Sequence, residues 1–240
     1  MGFLTSLDAV DGHKIECYFA SPASGSAKGG IVVIQEIFGL TDHVKQVVDG
    51  YAAAGYQAVA PAMFDRIEPG IVLDYAQVEK GIECVMQLER ANCITDVHIG
   101  VTAVRAAGRI GVVGYCWGGA IAYLAACELT LAGVVSYYGG QIGNYLDKVP
   151  ACPMMYHFGE KDAHIPPESI EAIKQVNPEG IYHLYADADH GFNCNDRDSY
   201  HQPSATLALE RSLEFFDEHV GTPSPPVTKS NAVPTKSDNR

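Results

Sequence analysis

The chain has 240 residues, of which 47% are hydrophobic and 19% are charged, and its formal net charge is −13. This composition is typical of a globular chain that buries its own core, while the negative charge argues against nucleic acid and anionic membrane surfaces as partners. No stretch has the pattern of a signal peptide or a membrane span, and the seven cysteines form no C-x-x-C pair, so we expect free thiols in the cytoplasm.

The predicted elements alternate between strands and helices along the chain. Two strands are predicted within residues 3–19, joined by an Asp11-Gly12 turn of the kind that closes hairpins. Continuous apolar runs, which suit strands buried on both faces, follow at residues 31–34, 57–60, 110–113, 133–137, 154–158 and 181–185. Helices are predicted over residues 42–54, 74–88, 96–106, 117–129, 167–175 and 204–220.

This alternation predicts an α/β fold, with a mostly parallel central sheet, helices on both faces and an N-terminal antiparallel hairpin. We expect one domain over residues 1–220. Residues 221–240 are rich in Pro, Ser, Thr, Lys and Asn and have few apolar side chains, so the sequence predicts a disordered tail there.

A short glycine-rich segment, residues 114–119, reads GYCWGG and lies between a predicted strand and an alanine-rich predicted helix. It has the pattern of a nucleophile elbow, with cysteine in place of the usual serine. The N-terminus of the helix favours a thiolate and an oxyanion, and the Trp117 N–H is the natural first oxyanion donor. The pattern therefore predicts that Cys116 is a nucleophile; the alternative is an inert buried cysteine in a tight turn.

A cysteine nucleophile needs a base, and the base needs a third group to orient it. Asp162 follows the predicted strand 154–158, and His190 follows the predicted strand 181–185. Loops at the carboxyl ends of parallel strands converge at one edge of a sheet, so we expect Cys116, Asp162 and His190 to meet there. The neighbouring carboxylates of Glu160, Asp187 and Asp189 are expected on the surface.

The other histidines are expected to have structural or solvated positions. His157 falls inside a predicted strand and is expected in the core or behind the site. His164 is interpreted as a loop histidine, with the alternative that it lines the pocket, and His43 is expected to be solvated. No clustered Cys/His spacing is present, so no metal site is predicted.

Further motifs accompany the elbow: QEIFG at residues 35–39, YYG at 137–139 and HGF at 190–192. Together they resemble the dienelactone hydrolase (carboxymethylenebutenolidase) family of cysteine-dependent enzymes over residues 3–220. The resemblance implies the α/β-hydrolase fold, no dissociable cofactor and a monomer. It also implies that Glu36 lies beside the nucleophile and helps to activate it when substrate binds, and that Ile37 supplies a second oxyanion N–H.

The resemblance also bears on substrate binding. Family members that hydrolyse dienelactone hold its carboxylate with arginines, one of them a few residues past the catalytic histidine. Here Cys194 stands about where that arginine is expected, and a lysine stands near the second position, which loses bidentate geometry. The candidate substrate contacts are Lys80, Arg197, Arg66, Phe38 and Phe192.

The residues and the resemblance predict a hydrolase that cleaves an ester or enol-lactone bond through a Cys-His-Asp triad and a thioester. The expected partner is a small-molecule ester or lactone, with neither nucleic acid nor membrane involved. Two alternatives stay open: a broad-specificity esterase for small esters, and a non-catalytic module of this fold that binds a ligand or senses oxidants through its thiol.

Overall fold

The described residues, 2–23 and 25–221, form one sheet of eight strands in the computed structural model. The strands are β1 (Phe3–Asp8), β2 (Lys14–Ala20), β3 (Gly30–Ile34), β4 (Gln57–Pro61), β5 (Ile110–Tyr115), β6 (Gly133–Tyr137), β7 (Met154–Gly159) and β8 (Ile181–Tyr185). Their order in the sheet is β1-β2-β4-β3-β5-β6-β7-β8. The pairs β1–β2 and β2–β4 are antiparallel, and the remaining pairs are parallel.

Helices cover both faces of this sheet. They are α1 (Asp42–Ala53), α2 (Val78–Met86), α3 (Arg90–Val104), α4 (Trp117–Glu128), α5 (Pro167–Val176) and α6 (Gln202–His219). Residues three apart on a strand point to opposite faces. A Cβ atom added to Gly111 of β5 would lie 2.7 Å from the Phe216 ring of α6, whereas one added to Gly114 would meet the Gly118 carbonyl of α4.

The predicted architecture, including the N-terminal hairpin, is therefore confirmed. Strands β3, β5 and β6 are buried along their whole length because helices cover both of their faces. The segments that carry the candidate site residues all follow the carboxyl ends of parallel strands. Glu36 follows β3, Cys116 follows β5, Asp162 follows β7 and His190 follows β8.

Two predicted helices begin elsewhere, each for a local reason. Helix α2 begins at Val78 rather than Asp74, because the Asp74 side chain accepts a hydrogen bond from the Ala76 N–H at 2.8 Å and forms a turn instead. Helix α3 begins at Arg90 rather than Asp96. Asp96 does not start a helix because its carboxylate is buried inside the fold, in an ion pair with Arg66.

The predicted tail falls almost entirely on residues 222–240, which lie outside the described residues. Gly221, its first residue, is buried, and its N–H donates to the Phe216 carbonyl at 2.8 Å. Its own carbonyl accepts a hydrogen bond from Arg109. Among residues 2–23 and 25–221, no helix is both long and apolar enough to span a bilayer.

Candidate active site

The turn that carries Cys116 has the strained geometry of a nucleophile elbow. Cys116 lies between β5 and α4 with φ 55° and ψ −121°, in the left-handed region that non-glycine residues seldom adopt. Close backbone contacts surround it: a Cβ on Gly114 would collide with the Gly118 carbonyl, and one on Gly118 would lie 2.7 Å from the Ile34 oxygen. Glycine is therefore required on both sides of the cysteine.

Three side chains form a continuous hydrogen-bonded chain at this turn. The Sγ of Cys116 lies 3.0 Å from Nε2 of His190, and Nδ1 of His190 lies 2.7 Å from Oδ2 of Asp162. The other carboxylate oxygen, Oδ1 of Asp162, accepts the backbone N–H of His164 at 2.8 Å. The Asp162 side chain is fully buried and that of His190 is 13% exposed. This geometry suits a nucleophile, its base and the group that orients the base.

The surroundings of His190 favour its charged form. Burial opposes the charge, but the hydrogen bonds to Asp162 and Cys116 outweigh burial and raise the pKa of His190 to about 10. At neutral pH the imidazole is therefore protonated, and its Nε2–H faces the Cys116 sulfur. The ring of Tyr138, which is fully buried, packs edge-on against His190 with centroids 5.2 Å apart and limits its rotation.

The two residues expected to supply oxyanion N–H groups, Ile37 and Trp117, line the same cleft as Cys116. Trp117 is the first residue of α4, so its N–H has no acceptor within the helix. Ile37 lies in the turn after β3, which is held in place on both sides. Oε1 of Gln35 accepts the Met63 N–H at 3.0 Å, and the Phe38 carbonyl accepts the Leu73 N–H at 2.9 Å. Ile37 and Trp117 both line the cleft above Cys116, where an oxyanion would form.

The cleft has a volume of about 320 Å³. Val78 and Ile82 of α2 form an apolar wall together with Ile37 and Phe38. The remaining lining residues, apart from Trp117, are polar or small and include the catalytic candidates: Cys116, His190, His164, Arg197, Gly140 and Gln141. The cleft therefore combines an apolar wall with polar groups and contains the candidate nucleophile.

Arg197 reaches this cleft although it comes three residues later than the family's pattern places its arginine. Its Nη1 lies 3.3 Å from Oε1 of Glu36, and its guanidinium lies 5.6 Å above the Phe38 ring. Gly191, with φ 80°, allows this approach, because a Cβ there would collide with the guanidinium. The Glu36 side chain is 3% exposed and that of Arg197 is 19% exposed, so the pair is largely shielded from water.

Lys80 does not line the cleft, contrary to the expectation. Val78 and Ile82 are four residues apart on α2 and therefore share the helix face that lines the cleft. Lys80 lies midway between them along the helix, on a different face, and is exposed. Matching Lys80 to the position of the family's arginine does not show which face of α2 lines the cleft.

Arg66 and Phe192 are also corrected, because both have structural positions. Nη2 of Arg66 lies 2.6 Å from Oδ1 of Asp96, and its Nη1 lies 2.5 Å from Oδ2 of Asp11, so Arg66 joins the N-terminal hairpin to α3. Phe192 is fully buried behind the His190 loop, with its ring 5.3 Å from that of Tyr185. Neither side chain lines the cleft.

Among the histidines, the expectation for His157 is confirmed, and those for His43 and His164 are corrected. His157 is fully buried and bonds Tyr185 and Ser212 through its two ring nitrogens. His43 is 6% exposed rather than solvated, with Nδ1 2.8 Å from Oδ1 of Asn195.

His164 lines the cleft, as the less favoured interpretation had it. Its place two residues after Asp162, in the same loop, is the sequence signal that points to it. In the described part of the chain, no three side chains of metal-ligating type are grouped to hold an ion.

Comparisons with known proteins show the family of the chain. The model of the dienelactone hydrolase family matches residues 15–220. The carboxymethylenebutenolidases of Pseudomonas putida and Pseudomonas knackmussii are each 34% identical over 227 residues, covering 88% of this chain and 94% of theirs. A crystal structure of a protein from Klebsiella pneumoniae is 28% identical, with a TM-score of 0.79 and coverage of 91% and 98%. The chain therefore belongs to the dienelactone hydrolase family of ester and lactone hydrolases.

Proposed function

We propose that Cys116 cleaves an ester or enol-lactone bond through a thioester intermediate. The observation that supports this most is the hydrogen-bonded chain from Cys116 through His190 to Asp162, at the floor of an open cleft. The thiolate attacks the carbonyl carbon, forming a C–S bond while the C–O bond breaks. His190 gives its proton to the leaving oxygen. It then takes a proton from water, whose oxygen attacks the thioester carbonyl, and the C–S bond breaks to release the acid and the Cys116 thiolate.

The N–H groups of Ile37 and Trp117 are proposed to hold the oxyanion that forms at each of these two attacks. Donors fixed in this way cost no reorganisation when charge develops, and each typically contributes about 10²–10³ in rate. Their support is the rigid placement of both residues at the edge of the cleft, beside Cys116. Asp162 keeps Nδ1 of His190 protonated, so that Nε2 faces the sulfur and the leaving oxygen.

We further propose that the preferred substrate carries a carboxylate that binds Arg197. A guanidinium has five N–H donors, and Glu36 is the one acidic side chain that contacts it within residues 2–23 and 25–221. A substrate carboxylate in the cleft competes with Glu36 for Arg197. The carboxylate of Glu36 is then available to help deprotonate Cys116, the role that the family resemblance implies for it.

The substrate proposal is tested with Arg197→Met and its matched control Lys80→Met. We expect Arg197→Met to lower kcat/KM for dienelactone about 10–100-fold, because a charged hydrogen-bond partner is lost, and to lower it much less for a neutral lactone of similar size. Lys80→Met should leave both values nearly unchanged, since Lys80 lies outside the cleft. Equal losses on the two lactones in Arg197→Met would contradict carboxylate binding.

A broad esterase for small neutral esters is the second candidate function. The apolar wall formed by Val78 and Ile82 favours it, because that wall offers contact area without any charge preference. Turnover of the neutral lactone as fast as dienelactone by the wild type would support this candidate.

We also propose a cytoplasmic location and a single domain over residues 1–220 from the sequence, and a monomer from the family resemblance. Its scattered free cysteines suit a reducing compartment, and no pairing between cysteines is present in the described residues. Light scattering on the purified chain measures the mass directly, and a mass well above 25.8 kDa would rule out the monomer.

A further inference from the structure

His164 is a polar side chain in the cleft to which the mechanism above gives no role. It is exposed, it lines the cleft, and within the described residues neither of its ring nitrogens has a hydrogen-bond partner in the protein. Its ring packs edge-on against His190, with centroids 5.2 Å apart and an angle of 77° between the planes. The imidazole of His164 is therefore next to the proposed general acid but free to bind a ligand.

The backbone holds His164 firmly in this position. Its N–H donates to Oδ1 of Asp162 at 2.8 Å, and the next N–H, of Ile165, donates to the Asp162 carbonyl at 3.2 Å. Ile165 is buried and lies against Gly140, where an added Cβ would be 3.4 Å from the isoleucine side chain. The loop that carries His164 is thus tied both to the buried carboxylate and to the segment that carries Gln141.

The chemistry decides which part of the substrate passes His164. The leaving oxygen must lie within hydrogen-bond distance of Nε2 of His190, so the leaving group begins beside that ring. Tyr138 occupies one neighbouring position and is fully buried. His164 occupies another and is open to the cleft, so a leaving group has room to extend past His164 and the exposed Gln141.

We propose that His164 is a substrate-positioning residue whose imidazole hydrogen-bonds an oxygen acceptor on the leaving-group side of the substrate. The enzyme then selects esters and lactones whose leaving group carries a carbonyl or carboxylate oxygen. This inference rests on the proposed function, because it requires His190 to protonate the leaving oxygen. It assigns the side of the cleft with His164 and Gln141 to the leaving group and leaves the apolar wall of α2 for other parts of the substrate.

The test compares para-acetoxybenzoate with para-methylphenyl acetate, two esters that share an acyl group and differ in the polar group on the leaving side. For each variant, the ratio of the two kcat/KM values is divided by the wild-type ratio, which cancels the intrinsic difference in reactivity. We expect His164→Ala and His164→Phe to lower this ratio about tenfold, mainly because the carboxylate-bearing ester binds more weakly and its KM rises. His164→Asn, which keeps a donor, should recover part of the ratio.

His98→Ala is the matched control, because His98 is an exposed histidine on α3 outside the cleft, and its ratio should equal that of the wild type. An unchanged ratio in His164→Ala and His164→Phe would overturn the inference while Cys116-dependent turnover upholds the proposed function. A fall in kcat on both esters in His164→Ala, restored in His164→Phe, would also overturn it, since packing against His190 would then explain the effect. Turnover that persists in Cys116→Ala would overturn both the inference about His164 and the proposed function.

Discussion

Replacing Cys116 by alanine is expected to lower kcat/KM for p-nitrophenyl acetate by about 10³-fold or more. The thiol is the group that forms a bond to the substrate, and the oxyanion donors and the cleft alone retain only a fraction of the rate. Alanine leaves the backbone turn at φ 55° in place, so the fold should be retained, which circular dichroism can check. The assay is initial-rate hydrolysis at neutral pH.

Cys152→Ala is the matched control for this loss. Cys152 is another partly exposed thiol, but it lies outside the cleft, and burial raises its pKa to about 11, so it is not a thiolate at neutral pH. We expect the control to keep wild-type activity. Hydrolysis by Cys116→Ala at the wild-type rate would show that Cys116 is not the nucleophile.

The second large effect is expected for Asp162→Asn, which should lower kcat about 10²–10⁴-fold. An amide does not favour the tautomer of His190 that directs Nε2 toward Cys116. It also removes a hydrogen bond that raises the pKa of His190, which is about 10 in the wild type. In the wild type the imidazolium persists as pH rises and is lost near pH 10, so the rate should fall there. In the variant this alkaline fall should move to lower pH.

Asp187→Asn provides the comparison for Asp162→Asn. Asp187 is an exposed carboxylate in the loop after β8, paired with Lys161 at 2.7 Å, and it does not contact His190. Its replacement should leave both kcat and the pH profile unchanged. If the rate of Asp162→Asn falls at the same alkaline pH as that of the wild type, Asp162 does not set the protonation of His190.

Local patterns were sufficient to predict the centre of the site. The elbow at Cys116 combines a strand, two glycines and a helix within a few residues, and the position after a parallel strand places Asp162 and His190 at the same edge. Each of these statements depends on the direction of a strand and on short-range sterics. Such features are visible in a single sequence, which is why the expected hydrogen-bonded chain and the observed one have the same three members.

The walls of the cleft depend on tertiary contacts and were predicted less well. The direction of the Lys80 side chain depends on the rotation of α2 about its axis. The helix begins at Val78 rather than at the predicted Asp74, so the sequence alone does not fix that rotation. Arg66 comes just after a predicted strand, which suggests a substrate anchor, but its ion-pair partner Asp96 lies 30 residues later and a single sequence does not show that pairing. The place of His164 two residues after Asp162 allows it to line the cleft, but the packing of its loop on Gly140 decides between the cleft and a plain loop position.

The most direct test of this account is mass spectrometry of the enzyme quenched in acid within milliseconds to seconds of mixing with p-nitrophenyl acetate. The account predicts an acetyl group on the peptide that contains Cys116, present during turnover and absent after the substrate is exhausted. The Cys116→Ala variant should show no such adduct. Steady turnover by the wild type with the acetyl group on another residue, and none on Cys116, would contradict a thioester at Cys116.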